Sequence, residues 1–289
     1  MGKQVTVNLF DVEWDENKSQ RLSDTLDEFA LLPLSERWRE DIRLERVTKD
    51  VILKANVYKL DFTKKREVGP GKLANATAIT SIRMERTENF GEETAAFFVP
   101  SRKWLLILHN QAGIGSSRIM SYCNALDPGN ANRHFNYSAN PKLDATILQK
   151  LQDMKNFSGL SVTATVDALS ANGANLGMSL AAASRPAKAR RLSFQMSAND
   201  AHKKGRSLER GMVMSFVDTL LGHPDDVTKL QVTGESEDVA GKDMMIDLLK
   251  HKLLRKFSAD ELKVIDHRYT LESRWELLDR SFRGWHTTI

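Results

Sequence analysis

Cysteine and long apolar runs, which define large classes of protein, are nearly missing from this sequence. One cysteine, Cys123, stands among 289 residues, which excludes an internal disulfide framework and indicates a reducing compartment. No apolar run approaches the roughly 18 residues that a membrane-spanning helix requires. Residues 1–14 also lack the apolar core of a signal peptide. We therefore expect a cytoplasmic protein without direct membrane insertion.

Motifs for metal, nucleotide and nucleophile sites are missing too. The seven histidines show no HxxxH or Cys/His spacing of a metal site. The glycine turn at residues 110–117 lacks the Lys-Ser/Thr ending of a P-loop, and GxSxG is absent. We expect no metal and no cofactor, and we name no catalytic residue. A protein that is not an enzyme is favoured, with a metal-dependent nuclease whose carboxylates are dispersed in sequence as the alternative.

The most regular stretch of the chain predicts a core unit of two strands and a helix. The apolar runs Ala95–Val99 and Trp104–Leu108 flank a short turn, as in a buried hairpin. A helix then follows, capped by Ser116, with apolar residues at helical spacing over 119–126. Cys123 lies on that apolar face, so we expect a packed and unreactive thiol.

Strand-like and helix-like patterns are mixed along the chain, which predicts an α+β fold with mixed or antiparallel sheets and flanking helices. Residues 171–187 are rich in Ala, Gly, Ser and Asn and suit either a small-residue helix or a join. We therefore divide the chain into an N-terminal α+β domain, residues 1–170, and a basic C-terminal α+β domain, residues 171–289. Residues 260–285 predict one long terminal helix, broken or kinked near residues 266–269.

Charge is distributed unevenly along the chain. Residues 1–50 hold eight Lys and Arg against twelve Asp and Glu, whereas residues 185–210 hold eight against two. Such asymmetry suggests an anionic partner for the basic part. A predicted strand at residues 189–196 and a helix capped by Ser207 would bring its cations onto one surface, where they could contact phosphates. Solvated cations that guard a sheet edge are the alternative. The candidate nucleic-acid-binding residues are Lys188, Arg190, Arg191, Lys203, Lys204, Arg206 and Arg210.

A second candidate site lies where the turn at residues 110–117 meets the following helix. Backbone N–H groups at a helix N-terminus can hold an anion. Gly113, Gly115 and Ser116 are therefore candidate anion-binding residues, and simple turn geometry is the alternative.

The order of elements, together with a few residues, resembles the RexA-type phage-exclusion proteins and bacterial proteins found beside phage-defence genes. The residues that carry the resemblance are Asn110, Gly113, Gly115, Tyr122, Gly241 and Asp247, within an N-terminal AAFFVPSRKWLLILHNQAGIGSSRIMSYCNAL unit and a later KDMMIDLL segment. The resemblance implies a cytoplasmic DNA-binding homodimer that acts in abortive infection or phage exclusion. It also implies a membrane-protein partner, and it transfers neither a cofactor nor an active site.

Three functional hypotheses follow from these observations. The first is a non-enzymatic protein that binds DNA without sequence preference through the basic residues. The second is the metal-dependent nuclease. The third is a scaffold or inhibitor that binds another protein through the C-terminal helix. That helix would present Trp275, Leu278, Phe282 and Trp285 as a dimer or partner face.

Overall fold

Antiparallel strands and flanking helices make up the fold, which confirms the α+β class. The computed structural model describes residues 4–15, 20–66, 72–74, 79–81, 90–109, 113–126, 136–171, 175–198, 207–223, 225–235, 243–265 and 268–289. The strands are β1 Gln4–Glu13, β2 Trp38–Arg39, β3 Ile42–Ile52, β4 Ala55–Arg66, β5 Lys72–Ala74, β6 Ile79–Ser81, β7 Phe90–Val99, β8 Trp104–His109, β9 Ser138–Pro141, β10 Phe157–Thr165, β11 Arg191–Ser197, β12 Val227–Glu235, β13 Asp243–Asp247, β14 Leu254–Ser258, β15 Val264–Ile265 and β16 Arg268–Tyr269. The α-helices are α1 Leu22–Leu31, α2 Ser116–Asn124, α3 Ala145–Asp153, α4 Val166–Ala171, α5 Asn175–Ser184, α6 Arg210–Leu221 and α7 Leu271–His286. In this described part of the chain, no helix is long and apolar enough to cross a membrane.

The chain divides into two compact units. Unit 1 comprises Met1–Asn8, Val12–Tyr137 and Leu254–Ile289, and unit 2 comprises Leu9–Asp11 and Ser138–Leu253. This division differs from the predicted boundary between residues 170 and 171, which falls inside α4 and inside unit 2. The difference arises because β10, which precedes that boundary, pairs with β11 and β12. In addition, the chain returns to unit 1 at residue 254, where β14 pairs with β1.

The main sheet of unit 1 contains the predicted hairpin. Its strand order is β14-β1-β8-β7-β4-β3-β2, and β7 pairs antiparallel with β8, with Val99 opposite Trp104. Ala95–Val99 and Trp104 are all less than 4% exposed. A short helical turn, Pro100–Arg102, and a left-handed Lys103 with φ of 53° join the two strands. The prediction of a buried hairpin is confirmed.

Helix α2 follows this hairpin, but its cap differs from the prediction. Gly115 occupies the N-cap position in an extended conformation, so Ser116 is the first helical residue and its side chain caps nothing. The expectation that Cys123 is a packed thiol is confirmed, since it is 1% exposed. Burial raises the pKa of this thiol to about 12, so the reactive thiolate is disfavoured at neutral pH.

The C-terminal segment of unit 1 is a shorter helix than predicted. Strand β14 reaches Ser258, whose side chain and that of Glu261 form a capping box around a single helical turn. The short strands β15 and β16 then pair as a hairpin. Helix α7 begins only at Leu271, after the side chain of Thr270 accepts a hydrogen bond from the Ser273 N–H. Among the described residues, the predicted helix over 260–285 is therefore wrong before Leu271, apart from the single helical turn that ends at Glu261.

Unit 2 is a four-stranded antiparallel sheet with one apolar face, in the order β11-β10-β12-β13. Leu160, Val162 and Ala164 alternate along β10 and are no more than 1% exposed. They share a core with α3, α4 and α6. Phe216 on α6 is fully buried in this core. The ring of Phe194 on β11 packs edge-on against Phe216, with centroids 5.8 Å apart. The alternation along β10 and β11 therefore turns every second residue away from this core.

The N-cap residue of α6 lies two positions beyond the predicted one. Glu209, not Ser207, is the N-cap residue, and its carboxylate accepts hydrogen bonds from the N–H groups of Gly211 and Met212. A carboxylate at this position also interacts favourably with the positive end of the helix dipole. Ser207 instead precedes Leu208, whose N–H donates to the Phe157 carbonyl at 2.8 Å.

Candidate nucleic-acid interface

Four cations lie close together in the turn between α5 and β11. This basic turn, residues 185–191, contains Arg185, Lys188, Arg190 and Arg191, and all four are exposed. The Lys188 N–H donates to the Arg185 carbonyl at 3.0 Å, and Lys188 takes a left-handed conformation with φ of 51°. The Arg190 carbonyl accepts a hydrogen bond from Val166 N–H at 3.1 Å. The backbone of the turn is thus held at both ends while its charged side chains face solvent.

The charges of the basic turn are not neutralised within the described structure. No carboxylate among the described residues forms an ion pair with Arg185, Lys188, Arg190 or Arg191. The structure therefore brings three of the predicted residues together and adds Arg185. Arg185 belongs to the same charged stretch of sequence, and its role depends on the turn that returns Lys188 towards it.

Beside the basic turn, the side of the unit 2 sheet that faces away from the core is polar. On β11 its residues are exposed, and on β10 and β12 they are half-buried by their neighbours. The registers place Ser193, Thr163 and Lys229 in one row across three strands, and Gln195, Ser161 and Gln231 in the next. We call this surface the open face, and it consists of Arg191, Ser193, Gln195, Ser197, Ser161, Thr163, Lys229 and Gln231.

Charge varies across the open face from one corner to the other. Arg191 and Lys229 point to the same side of the sheet. Lys229 lies two strands away from Arg191 and is displaced by two residues along the strand direction, so about 12 Å separates their backbones. Strand β13 at the other edge instead carries Asp243, the exposed Met245 and Asp247 on this side. Asp247 accepts a hydrogen bond from Gln231 at 3.1 Å and lies 3.5 Å from Lys250 Nζ. An anion is therefore favoured at the Arg191 corner and less favoured along β13.

Arg210 does not join this cluster. Its guanidinium donates to the carbonyls of Met154 and Gln152, both at 2.6 Å, and lies over the Phe157 ring. These carbonyls lie at the C-terminal end of α3, where a cation is favoured. Phe157 and Thr165, which pairs with Arg191, are at opposite ends of β10, about 25 Å apart. Arg210 therefore does not share one surface with the basic turn, which corrects that prediction, and it has a structural role.

The remaining predicted cations lie outside the described residues. Lys203, Lys204 and Arg206 belong to residues 199–206, which follow β11 and Ala198. In the sequence they follow the C-terminal end of β11, whereas the basic turn leads into its N-terminal end. The basic turn and the open face therefore form the candidate interface that the structure describes.

The second predicted site, at the N-terminus of α2, lies in unit 1. The Ile114 N–H donates to Thr94 Oγ1 at 2.8 Å, which fixes the turn that carries Gly113 and Gly115. Ser116 is 1% exposed, and its hydroxyl has no hydrogen-bond partner among the described residues. Gly113, Gly115 and Ser116 are thus adjacent as predicted, and the site stays a prediction.

Comparison with known proteins identifies a family but no chemistry. The model of a family of unknown function, DUF6731, matches residues 2–284. The chain belongs to the DUF6731 family. No curated protein matches it. Because the DUF6731 description assigns no activity, the candidate interface rests on the geometry of the basic turn and the open face.

The described residues of this DUF6731 chain contain no cluster of metal ligands. Among them, no three His, Cys, Asp or Glu side chains are placed to hold a metal ion. The described structure therefore offers no residues to which the metal-dependent nuclease alternative can be assigned.

A buried charged cluster in unit 1 was not predicted. Arg274 on α7 is 5% exposed, with Nη1 3.4 Å from Asp61 Oδ1 and Nη2 3.3 Å from Glu93 Oε2. Arg268 also pairs with Glu93. Burial raises the pKa of Asp61 to about 6, the neighbouring Glu93 adds to this rise, and Arg274 opposes it. Asp61 and Arg274 are 213 residues apart in sequence, so no local pattern could have indicated the pair.

This cluster and its surroundings show that α7 belongs to the core of unit 1. Leu278 and Phe282 are fully buried, and Trp285 is 6% exposed. The half-buried Trp275 donates from Nε1 to the Leu60 carbonyl at 3.2 Å. The helix face suggested for a dimer or partner contact is therefore occupied within the chain itself, which corrects that hypothesis.

Proposed function

We propose that this chain is a non-enzymatic DNA-binding protein that contacts the phosphate backbone without sequence preference. The observation that carries the proposal is the basic turn, with four exposed cations in seven residues and no carboxylate partner among the described residues. Lys and Arg that contact phosphates release counterions, and this release drives binding that does not depend on sequence. Phosphate contacts of this kind require no cofactor.

Protection of a sheet edge explains the same cations less well. Such protection places charges along an edge strand to prevent pairing with another chain. Here, Arg191 is the only cation on β11 itself, and the other three cations precede the strand. The opposite edge strand, β13, carries Asp243 and Asp247 and no Lys or Arg. A common need to protect edges would not concentrate four cations at one corner of one edge.

The proposal predicts binding that depends steeply on salt. Four phosphate contacts give a slope of about −3.6 for log K against log salt, so raising salt from 50 to 200 mM weakens binding about 150-fold. Charge reversal in Arg190→Glu/Arg191→Glu is expected to abolish binding or to reduce the slope by about 1.8 or more. An electrophoretic mobility series with a 30-base-pair duplex at several salt concentrations measures both quantities.

The matched control is Lys256→Glu/Lys263→Glu, which changes the net charge equally at two exposed positions of unit 1. It is expected to bind nearly as the wild type does, and circular dichroism checks that both variants fold. Salt-independent binding, or equal losses in the two variants, would contradict the proposal. Cleavage of the duplex in the presence of Mg²⁺ would instead favour the nuclease alternative.

The cellular role that we propose rests on the resemblance to RexA-type proteins. It places the chain in the cytoplasm as a homodimer, with a membrane protein as partner, in phage exclusion. Since DNA binding would be the step that this role requires, Arg190→Glu/Arg191→Glu should also abolish any reduction in phage plating efficiency. If this variant reduced phage plating efficiency as much as the wild type does, the role in phage exclusion would not depend on DNA binding.

A further inference from the structure

We infer that the open face of unit 2 lies against the sugar–phosphate backbone of a DNA double helix, without reading bases and without preference for a single strand. The inference rests on the proposed function and names the form of nucleic acid that it binds. Three properties of the open face support it, namely its width, its lack of aromatic side chains and its charge gradient.

The width of the sheet prevents it from reading bases in the major groove. Four strands about 4.8 Å apart span about 14 Å between their outer backbones, before side chains are added. The major groove of B-DNA is about 12 Å wide and admits one helix or a two-stranded ribbon. The four-stranded sheet is too wide to enter, so its side chains meet the phosphates and sugars that border the groove.

The side chains of the open face do not suit single-stranded nucleic acid. Proteins that bind single strands commonly stack bases on aromatic rings. The open face carries hydroxyl, amide and cationic groups, whereas Phe157 and Phe216 are buried and Phe194 packs against the core. Hydroxyl and amide side chains, together with Arg191 and Lys229, are the groups that donate hydrogen bonds to the phosphates of a duplex.

The charge gradient indicates where the duplex lies. Arg191 and the rest of the basic turn attract phosphates at one corner, while Asp243 and Asp247 repel them along β13. The exposed Gln195 lies on β11, four residues along the same edge strand from Arg191 and at the opposite edge of the sheet from β13. A phosphate backbone that contacts the basic turn and stays away from β13 therefore runs along β11 and passes Gln195.

Gln195→Glu tests this arrangement, because it preserves the shape of the side chain and adds one negative charge at the proposed contact. We expect it to weaken binding to a 30-base-pair duplex about fivefold at low salt. Gln152→Glu on α3, at an exposed position away from the open face, is the matched control and is expected to leave binding unchanged. The same oligonucleotide in single-stranded form should bind more weakly than the duplex to the wild-type protein.

The outcomes separate this inference from the proposed function. If the duplex binds, Arg190→Glu/Arg191→Glu abolishes binding and Gln195→Glu has no effect, the inference fails while the proposed function stands. Equal or tighter binding of the single strand also overturns the inference. A change in sedimentation with unchanged DNA affinity in Gln195→Glu would identify the open face as a self-association surface, and failure to bind any DNA would overturn both.

Discussion

Replacing Asp61 with Asn should change the stability of unit 1 in a pH-dependent way. Relative to the wild type at the same pH, the variant should have a higher free energy of unfolding at neutral pH than at acidic pH. The pKa of Asp61 is about 6 in the folded chain against an ordinary 3.8. Between these values the folded state binds more protons than the unfolded state, so the wild-type free energy of unfolding falls as pH rises. The shift corresponds to about 3 kcal/mol. Asn cannot ionise, so the free energy of unfolding of Asp61→Asn minus that of the wild type should increase by about this amount from pH 3.5 to pH 7.

Removing the cation instead should cost less than a buried ion pair would suggest. Arg274→Met leaves Asp61 without its opposing charge, which raises the pKa of that carboxyl further. Protonating a group of ordinary pKa 3.8 at pH 7 costs about 4.4 kcal/mol, which limits the total penalty. About 3 kcal/mol of it is already present in the wild type, so Arg274→Met should lose only about 1.4 kcal/mol through Asp61. The double variant Asp61→Asn/Arg274→Met should recover this loss.

Tryptophan fluorescence during urea unfolding measures these differences for unit 1 alone. The five tryptophans are Trp14, Trp38, Trp104, Trp275 and Trp285, and all of them belong to unit 1. A difference between Asp61→Asn and wild type that does not change with pH would refute the reasoning. So would a loss of 4 kcal/mol or more in Arg274→Met that Asp61→Asn does not reduce.

Two further predictions concern unit 2. Arg210→Ala removes two hydrogen bonds to the carbonyls of Met154 and Gln152. It should lower the free energy of unfolding by about 1–2 kcal/mol and leave DNA affinity within about twofold of wild type. A large loss of affinity with unchanged stability would instead show that Arg210 contacts phosphate. Glu209→Ala should cost about 1 kcal/mol through the lost N-cap of α6, while Ser207→Ala should have little effect. Thermal unfolding followed by circular dichroism checks both, and the reverse ranking would show that Ser207 is the cap.

The sequence allowed the local parts of the fold to be predicted. The hairpin of β7 and β8 consists of two continuous apolar runs with a short turn, and such runs have few alternatives to burial. Alternating Leu192 and Phe194 likewise indicated β11. The error before α7 has a local reason as well. The described residues between 260 and 270 belong to a capped turn and two short strands, which are too short for a strand period to be distinguished from a helical one.

The candidate interface was predictable only where its residues are neighbours in sequence. Lys188, Arg190 and Arg191 stay together because one turn holds them. Arg210 was assigned to them on charge, but a contact with α3, more than fifty residues earlier, determines its role. The pairing of Asp61 with Arg274 depends on tertiary structure in the same way, since each residue alone resembles an ordinary surface charge.

The insertion of unit 2 between segments of unit 1 has a consequence for the order in which the chain can fold during synthesis. Strand β1 is synthesised long before its neighbour β14, which ends at Ser258. At 5–20 residues per second, the ribosome adds the intervening residues in about 12–50 s. Throughout that interval Gln4–Asn8 of β1 cannot form their pairs with β14, and the side of β7 and β8 that α7 will cover stays bare. All of unit 2, whose last residue is Leu253, is synthesised before unit 1 can close, so the unit that begins earlier in the chain is completed later.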